Sequence, residues 1–266
     1  MALRDSHRLF LQSFMSRGIL PSKEVRQLYQ QACERFGEAS DLGRLAEFVN
    51  RINIKISPLH LQIKKGINEV TAAQYYGLVN TAESDITRLS STYTVNELEF
   101  YKKIIESIVD SDDGVMSSTD ALNLTSQLEK KMLKKDAEDL ISKFERDNWL
   151  ELNPKGEIAL STRAILELDQ YIQNQYPNLA VKCNMCHRLC LQGETCSRCD
   201  VKLHFSCAER YFDKQEKHHC PSSACNAPWP QDSRRPCRPS DPSAASTASN
   251  SEENLTNHTT RSKSRR

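Results

Sequence analysis

The sequence lacks a long apolar run, and it lacks a strong excess of either charge. No stretch approaches the roughly 20 apolar residues that a membrane-spanning helix needs. The first residues include Arg4, Asp5, His7 and Arg8 and contain no apolar core of a secretory signal. We therefore expect an intracellular protein with no membrane partner, in a reducing compartment where disulfides are rare. The formal net charge of +1 is too small to indicate nonspecific binding of nucleic acid.

Cysteine is scarce outside one short segment. Of the 10 cysteines, only Cys33 and Cys237 lie outside residues 183–225, and Cys33 falls on an apolar helical face that predicts a core position. The segment has the spacing C-x2-C-x9-C-x2-C-x4-H-x2-C-x12-C-x4-C. Two C-x2-C turns followed by H-x2-C favour zinc over a disulfide framework or a redox dithiol. Cys190 fits no ligand pair and is predicted to be a thiol without a metal.

The pattern supplies enough ligands for two tetrahedral zinc sites, so two Zn²⁺ ions are the predicted cofactors. The predicted ligands are Cys183, Cys186, Cys196, Cys199, His204, Cys207, Cys220 and Cys225. Spacing alone leaves their pairing open. A sequential zinc ribbon would place Cys183, Cys186, Cys196 and Cys199 on one ion.

The order of four cysteines, one histidine and three cysteines resembles the variant RING and PHD finger group. The resemblance implies an interleaved, cross-braced pairing of the ligands. It assigns zinc 1 to Cys183, Cys186, His204 and Cys207, and zinc 2 to Cys196, Cys199, Cys220 and Cys225. A module of this size has little apolar core, so the metals would supply much of its folding free energy.

Single positions favour the RING type over the PHD type. A PHD finger usually has tryptophan two residues before the seventh ligand, where this chain has His218. A RING finger often has an apolar residue before the second ligand and proline after the seventh, as Met185 and Pro221 are here. The resemblance implies that these two form a groove for a ubiquitin-conjugating enzyme, and a simple packing role for Met185 is the alternative. The final C-x4-C loop departs from the usual two-residue spacing, and Tyr211 or Phe212 replaces the helix tryptophan of many RING fingers.

Residues 1–178 predict helices followed by a β-hairpin, twice in succession. In the first set, helical periodicity at 22–36 and 42–52 precedes an alternating segment at 59–65 and an apolar segment at 75–79. In the second set, Thr94 and Glu97 form a capping box before further helical segments and a Pro154–Gly156 turn. This order predicts tandem winged-helix domains in a mainly α chain with small β-hairpins. A helical bundle with incidental hairpins is the alternative.

The predicted domain limits are 1–90 and 91–178 for the winged helices, 179–230 for the finger and 231–266 for a disordered tail. The tail is rich in Pro, Ser, Thr and Asn and too poor in large apolar residues to form a core. Its last residues, "RSKSRR", could be a nuclear import signal or a solubilising basic end. Candidate phosphate contacts in the second winged helix are Lys130, Lys131, Lys134, Lys135 and Lys155. A solvated helix end is the alternative, because acidic residues follow the first four at once.

Taken together, the winged-helix order and the finger resemble one family, the non-SMC element one subunits of the structural maintenance of chromosomes 5–6 complex. The resemblance covers about residues 1–230 and implies a RING-type ubiquitin ligase subunit that acts in homologous recombination, in the nucleus on chromatin. It implies a MAGE-family winged-helix partner, a kleisin subunit near the SMC ATPase heads, and a ubiquitin-conjugating enzyme. A non-catalytic assembly module and a PHD-like chromatin reader are the other functions that the sequence allows.

Overall fold

The computed structural model describes residues 2–81, 92–213 and 218–229, all within one compact unit. They combine helix and strand, with more strand than the two predicted hairpins supply. Among these residues no helix is both long enough and apolar enough to cross a bilayer. The predicted tail, the "RSKSRR" segment, Cys237 and the limits at 90–91 and 230–231 lie outside the described residues.

The first module, as we call residues 5–80, consists of three helices and a three-stranded antiparallel sheet. Its elements are α1 (Asp5–Arg17), β1 (Ile19–Pro21), α2 (Ser22–Arg35), α3 (Leu45–Ile56), β2 (Leu61–Ile67) and β3 (Gln74–Asn80). The strand order is β1-β3-β2. Apolar residues at helical spacing, among them Val25, Tyr29 and Ile52, turn inward onto Phe10 and Phe14 of α1. Cys33 is buried in this core, as the sequence predicts.

The second module, residues 95–160, repeats the same order. Its elements are α4 (Val95–Asp110), β4 (Met116–Ser117), α5 (Ser118–Asn123), α6 (Lys134–Arg146), β5 (Leu150–Leu152) and β6 (Glu157–Leu160). The strand order is β4-β6-β5. The predicted capping box is present, since Thr94 Oγ1 accepts the Glu97 N–H at 3.3 Å and Glu97 Oε2 accepts the Thr94 N–H at 2.6 Å. Gly156, at φ +76°, closes the predicted turn between β5 and β6.

Helix α7 (Thr162–Gln175) joins the two modules. Its apolar residues Ala164, Leu168 and Ile172 belong to the core of the second module, and its opposite side packs on β2 and β3 of the first. The approach is close, because a Cβ placed on Gly66 of β2 would lie 2.7 Å from Leu166 Cδ1. Glycine at this position therefore allows α7 to lie directly on the first sheet.

The finger spans residues 183–229, and its described part, 183–213 and 218–229, contains two short paired strands, β7 (Glu194–Thr195) and β8 (Lys202–Leu203), and one helix, α8 (Phe205–Phe212). It packs against the second module, whose core cluster includes Leu189 and Leu191 of the finger. The cysteines have their own cluster with Leu203, Phe212 and Trp229. The structure thus contains three apolar cores, and the domain limits drawn from sequence stay predictions.

Several local predictions were incomplete or wrong. Each predicted hairpin gains a third strand, β1 in the first module and β4 in the second, which the sequence analysis missed. Helix α1 was also missed. Leu59 was placed in a half-buried strand, but it ends a 3-10 turn and is 68% exposed. Phe36 was placed on the inner face of α2, but it follows the helix end and is exposed.

Candidate metal centre

The structure brings the eight predicted ligands together as two groups of four. Within each group the candidate ligand atoms all lie within 4.8 Å of one another. Site 1 is Cys183, Cys186, His204 and Cys207, and site 2 is Cys196, Cys199, Cys220 and Cys225. The grouping is the interleaved one that the RING resemblance implies, and the finger has the two clusters needed to hold two zinc ions.

The distances between ligand atoms fit tetrahedral zinc. With Zn–S and Zn–N bonds of about 2.3 and 2.05 Å, a tetrahedron has edges of about 3.8 Å for S···S and about 3.6 Å for N···S. In site 2, Cys196 Sγ lies 3.9 Å from Cys225 Sγ and Cys199 Sγ lies 3.5 Å from Cys220 Sγ. In site 1, His204 Nδ1 lies 3.3 Å from Cys186 Sγ and 3.9 Å from Cys207 Sγ. All these cysteines are free thiols rather than disulfides.

Local hydrogen bonds lower the pKa of the first cysteine in each C-x2-C turn, Cys183 and Cys196, whereas burial is the main reason that the pKa values of Cys207 and Cys220 are raised. Burial by itself raises the pKa of Cys183, but hydrogen bonds from His204 and from the backbone N–H groups of Cys186 and Met185 lower that pKa to about 5. At Cys196, burial is likewise outweighed by backbone hydrogen bonds from Arg198 and Cys199, and the pKa falls to about 7. These N–H groups come from the C-x2-C turns themselves, so the turns both position the sulfurs and stabilise their charge.

Cys190 differs from the ligands. It is buried beneath site 1, and burial is the main reason that its pKa is raised to about 11. The group is therefore a neutral thiol at physiological pH. The candidate ligand atoms of Cys190, Glu69 and His204 also lie within 4.8 Å of one another, so the role of Cys190 as a thiol without a metal stays a prediction.

The His204 ring has a defined orientation. Its Nε2 lies 2.9 Å from Leu189 O and 3.2 Å from Glu69 Oε1. Because a carbonyl oxygen can only accept, Nε2 carries the proton, and with zinc bound Nδ1 would present its lone pair to the metal held between the three site 1 sulfurs. The ligand nitrogen is therefore Nδ1, and the outward nitrogen is bound by groups that are not ligands.

Two buried charged residues that join the finger to the rest of the chain were missed by sequence reasoning. Glu69 belongs to the β2–β3 turn of the first module and is 5% exposed. Lys202 of β8 donates from Nζ to Leu191 O at 2.7 Å and to Asp112 O at 3.0 Å. Neither has a recognisable signal in the sequence, because each is one charged residue among many and its partners are distant along the chain. Only the location of Lys202 between Val201 and Leu203, in a short apolar segment, hints at burial.

The predicted groove residues are accessible. Met185 is 43% exposed, and Pro221 is partly exposed directly after Cys220. Two large aromatic side chains of the finger are packed inside it. Phe212 and Trp229 are buried with ring centroids 5.4 Å apart, and His218 lies against Phe212 at 4.8 Å. Trp229 Nε1 also donates to Glu194 Oε2 at 2.8 Å, which anchors the chain after site 2.

The candidate phosphate contacts are exposed but lie on different elements. Lys130 and Lys131 precede α6, Lys134 and Lys135 form its first turn, and Lys155 lies in the β5–β6 turn. The Lys134 amino group donates to Asn123 Oδ1 at 3.1 Å. Exposure is compatible with both the DNA contact and the solvated helix end, so the phosphate role stays a prediction.

The fold and the site together define a class: a mixed helix-and-strand protein with a RING-like finger that carries two clusters able to hold zinc. Comparison with known proteins agrees with this class. A family model described as "RING-like domain" matches residues 183–225. A second model, "Nse1 non-SMC component of SMC5-6 complex", matches residues 7–168.

Curated relatives and a solved structure extend the match over most of the chain. The mouse protein named non-structural maintenance of chromosomes element 1 homolog is 40% identical over 87% of this chain and 86% of its own length. The fission yeast protein named non-structural maintenance of chromosomes element 1 is 27% identical over 85% of this chain and 93% of its own. A chain of a solved Nse1-Nse3-Nse4 complex superposes with a TM-score of 0.80 at 39% identity, covering 87% of this chain and 99% of that one. The chain belongs to the family of Nse1 non-SMC components of the SMC5-6 complex.

Proposed function

We propose that this chain is a RING-type ubiquitin-protein ligase subunit of an SMC5-6 complex. The observation that carries the proposal is the finger: two interleaved clusters, with accessible Met185 before the second ligand and Pro221 after the seventh. In RING ligases these two positions contact the conjugating enzyme. The proposed process is DNA repair by homologous recombination, in the nucleus on chromatin, as the family resemblance implies.

The proposed mechanism uses no nucleophile from this chain. All four positions of each zinc would be filled by protein ligands, so neither ion has a position open for water. Cys190 is buried and protonated. The finger would instead bind a conjugating enzyme and hold its ubiquitin thioester in an orientation that favours attack by a substrate lysine.

We propose that the N-terminal modules are winged helices that dock protein partners. Support comes from the order of elements that the two modules share: helix, strand, two helices and two strands. In both sheets the first strand pairs with the last strand, which lies in the middle. The chain of similar fold was solved in a complex with Nse3, a MAGE protein, and Nse4, a kleisin. By this likeness the partners would be a MAGE-family winged-helix subunit and a kleisin subunit close to the SMC ATPase heads.

The test is ubiquitin transfer from a panel of charged conjugating enzymes, with the full chain alone and with a MAGE partner. Met185→Asp should retain two zincs per chain and lose most of the transfer, because it places a charge in the apolar groove. Met15→Asp is the matched control, since Met15 is 68% exposed on α1 and far from the ligands in sequence. It should transfer at the wild-type rate. Full transfer by Met185→Asp would exclude the groove assignment.

The second candidate is an assembly module whose finger has no ligase activity. It is favoured by how the finger is packed, because Leu189 and Leu191 join the second module's core and Glu69 of the first module binds the finger backbone. The longer C-x4-C loop also supports it. No transfer with any conjugating enzyme, from protein with two bound zincs and a bound partner, would favour this function. Binding of histone-tail peptides would instead favour the PHD-like reader.

A further inference from the structure

The β2–β3 turn of the first module places two adjacent polar residues at the junction of all three parts of the molecule. Asn68 Oδ1 accepts the backbone N–H groups of Val70 and Thr71 at 3.1 and 2.9 Å, which fixes the turn. Asn68 Nδ2 donates to Glu151 Oε2 at 3.0 Å and to Thr162 Oγ1 at 3.2 Å. Asn68 therefore anchors the turn to the second module and to α7.

Glu69, the next residue, points into the finger. Its two carboxylate oxygens accept the backbone N–H groups of Leu191 and Gln192, each at 3.0 Å. Oε1 also lies 3.2 Å from His204 Nε2. A carboxylate that is 5% exposed needs such donors to offset the loss of hydration, and it has three here. The peptide group between Leu191 and Gln192 is bound at both of its polar atoms. Its N–H donates to Glu69 Oε2, and its carbonyl oxygen accepts from Lys202 Nζ.

We propose that Glu69 is a positioning residue for zinc site 1, supplied to the finger by the first module. It accepts the Nε2–H of His204, so that Nδ1 faces the metal in a fixed direction and with greater basicity. The Leu189 carbonyl shares this proton but comes from the finger itself. Through Glu69, the first module thus contributes to the affinity of site 1 for its ion.

Site 2 supplies an internal reference. Its four ligands are cysteines, and it contains no histidine that could be oriented from outside. A general loosening of the finger would weaken both sites, whereas loss of the Glu69 contact should weaken site 1 alone. The two sites are also distinguishable by spectroscopy, because Co²⁺ bound by three sulfurs and one nitrogen absorbs at different visible wavelengths from Co²⁺ bound by four sulfurs.

The experiment compares the full chain with Glu69→Gln and Glu151→Gln, all loaded with Zn²⁺ or Co²⁺. Glu69→Gln keeps the size of the side chain but replaces one acceptor oxygen with a donor. It should release the site 1 ion to a chelator about 10- to 100-fold faster and leave site 2 unchanged. Glu151→Gln alters the same junction, where Glu151 binds Asn68, but it touches no ligand. Its release from both sites should match the wild type.

Several results would overturn the proposal. These are unchanged site 1 release in Glu69→Gln, equal acceleration at both sites, or an equal effect of Glu151→Gln. Glu69→Asp gives an independent decision if Glu69→Gln does not fold, because it keeps the carboxylate but shortens the side chain by one methylene. It should release the site 1 ion faster than the wild type and leave site 2 unchanged. Wild-type release from site 1 in Glu69→Asp, or a His204 proton on Nδ1 in nitrogen-15 spectra of the zinc-loaded chain, would contradict the assignment.

Discussion

The two zinc sites of one small finger differ in their surroundings. Site 1 includes a histidine, lies against Glu69 of the first module, and adjoins leucines that belong to the second module's core. Site 2 is made of four cysteines, of which Cys199 and Cys225 are partly exposed, and its neighbours Phe212 and Trp229 belong to the finger. The comparison shows that two four-ligand sites in one finger can depend to different degrees on the rest of the chain. Site 2 is internal to the finger, while site 1 is part of the junction.

The largest expected effect is that of removing a ligand from either site. Cys183→Ser and Cys196→Ser should each lose one zinc, and with it most of the roughly 10 kcal/mol that a structural zinc contributes to folding of a small module. The comparison predicts that Cys183→Ser also exposes the β2–β3 turn to proteolysis, while Cys196→Ser leaves the N-terminal modules protected. Metal analysis and limited proteolysis measure both. Equal exposure of the turn in both variants would remove the distinction.

A smaller effect is expected where the second module touches the finger backbone. Gly114 has φ +70°, and a Cβ there would lie 2.4 Å from Leu191 O. Gly156 has φ +76° with nothing within 4 Å of the same position. Gly156→Ala should cost about 1–2 kcal/mol for the left-handed backbone alone, and Gly114→Ala a further 1–3 kcal/mol for the clash. Denaturant unfolding midpoints measured for both variants would show this difference. Equal midpoints would mean that the finger backbone at Leu191 shifts away from the new Cβ at no cost.

The smallest effect is expected at Lys202. Lys202→Met keeps the length of the side chain but leaves the carbonyl oxygens of Leu191 and Asp112 without its ammonium group. The cost should be about 1–3 kcal/mol, the usual cost of leaving buried polar groups unpaired. Lys182→Met is the control, because Lys182 is exposed directly before the finger and should change stability by less than about 0.5 kcal/mol. Thermal unfolding of the full chain measures the loss of stability in each variant. A loss in Lys182→Met as large as that in Lys202→Met would contradict the role of Lys202 at the junction.

Local signals in the sequence were sufficient for much of the architecture. Thr94 and Glu97 begin α4 as predicted, because the capping box satisfies backbone N–H groups within four residues. Apolar spacing at 22–36 and 42–52 located α2 and α3, and the Pro154–Gly156 turn located the second hairpin. The errors were at element edges. Leu59 and Phe36 fit the local periodicity but lie where the helix or strand has already ended.

By itself the sequence determined most of the helices, the two hairpins and the eight candidate ligands, because helix capping, turn chemistry and C-x2-C spacing act over a few residues. Only the tertiary structure decided the pairing of the ligands, the third strands β1 and β4, and the burial of Glu69 and Lys202. These depend on contacts between distant segments, such as the 135-residue separation of Glu69 and His204. A glutamate in a turn is ordinarily solvated. It becomes part of a metal site only when packing of three cores removes water and brings an imidazole and two backbone amides to its oxygens.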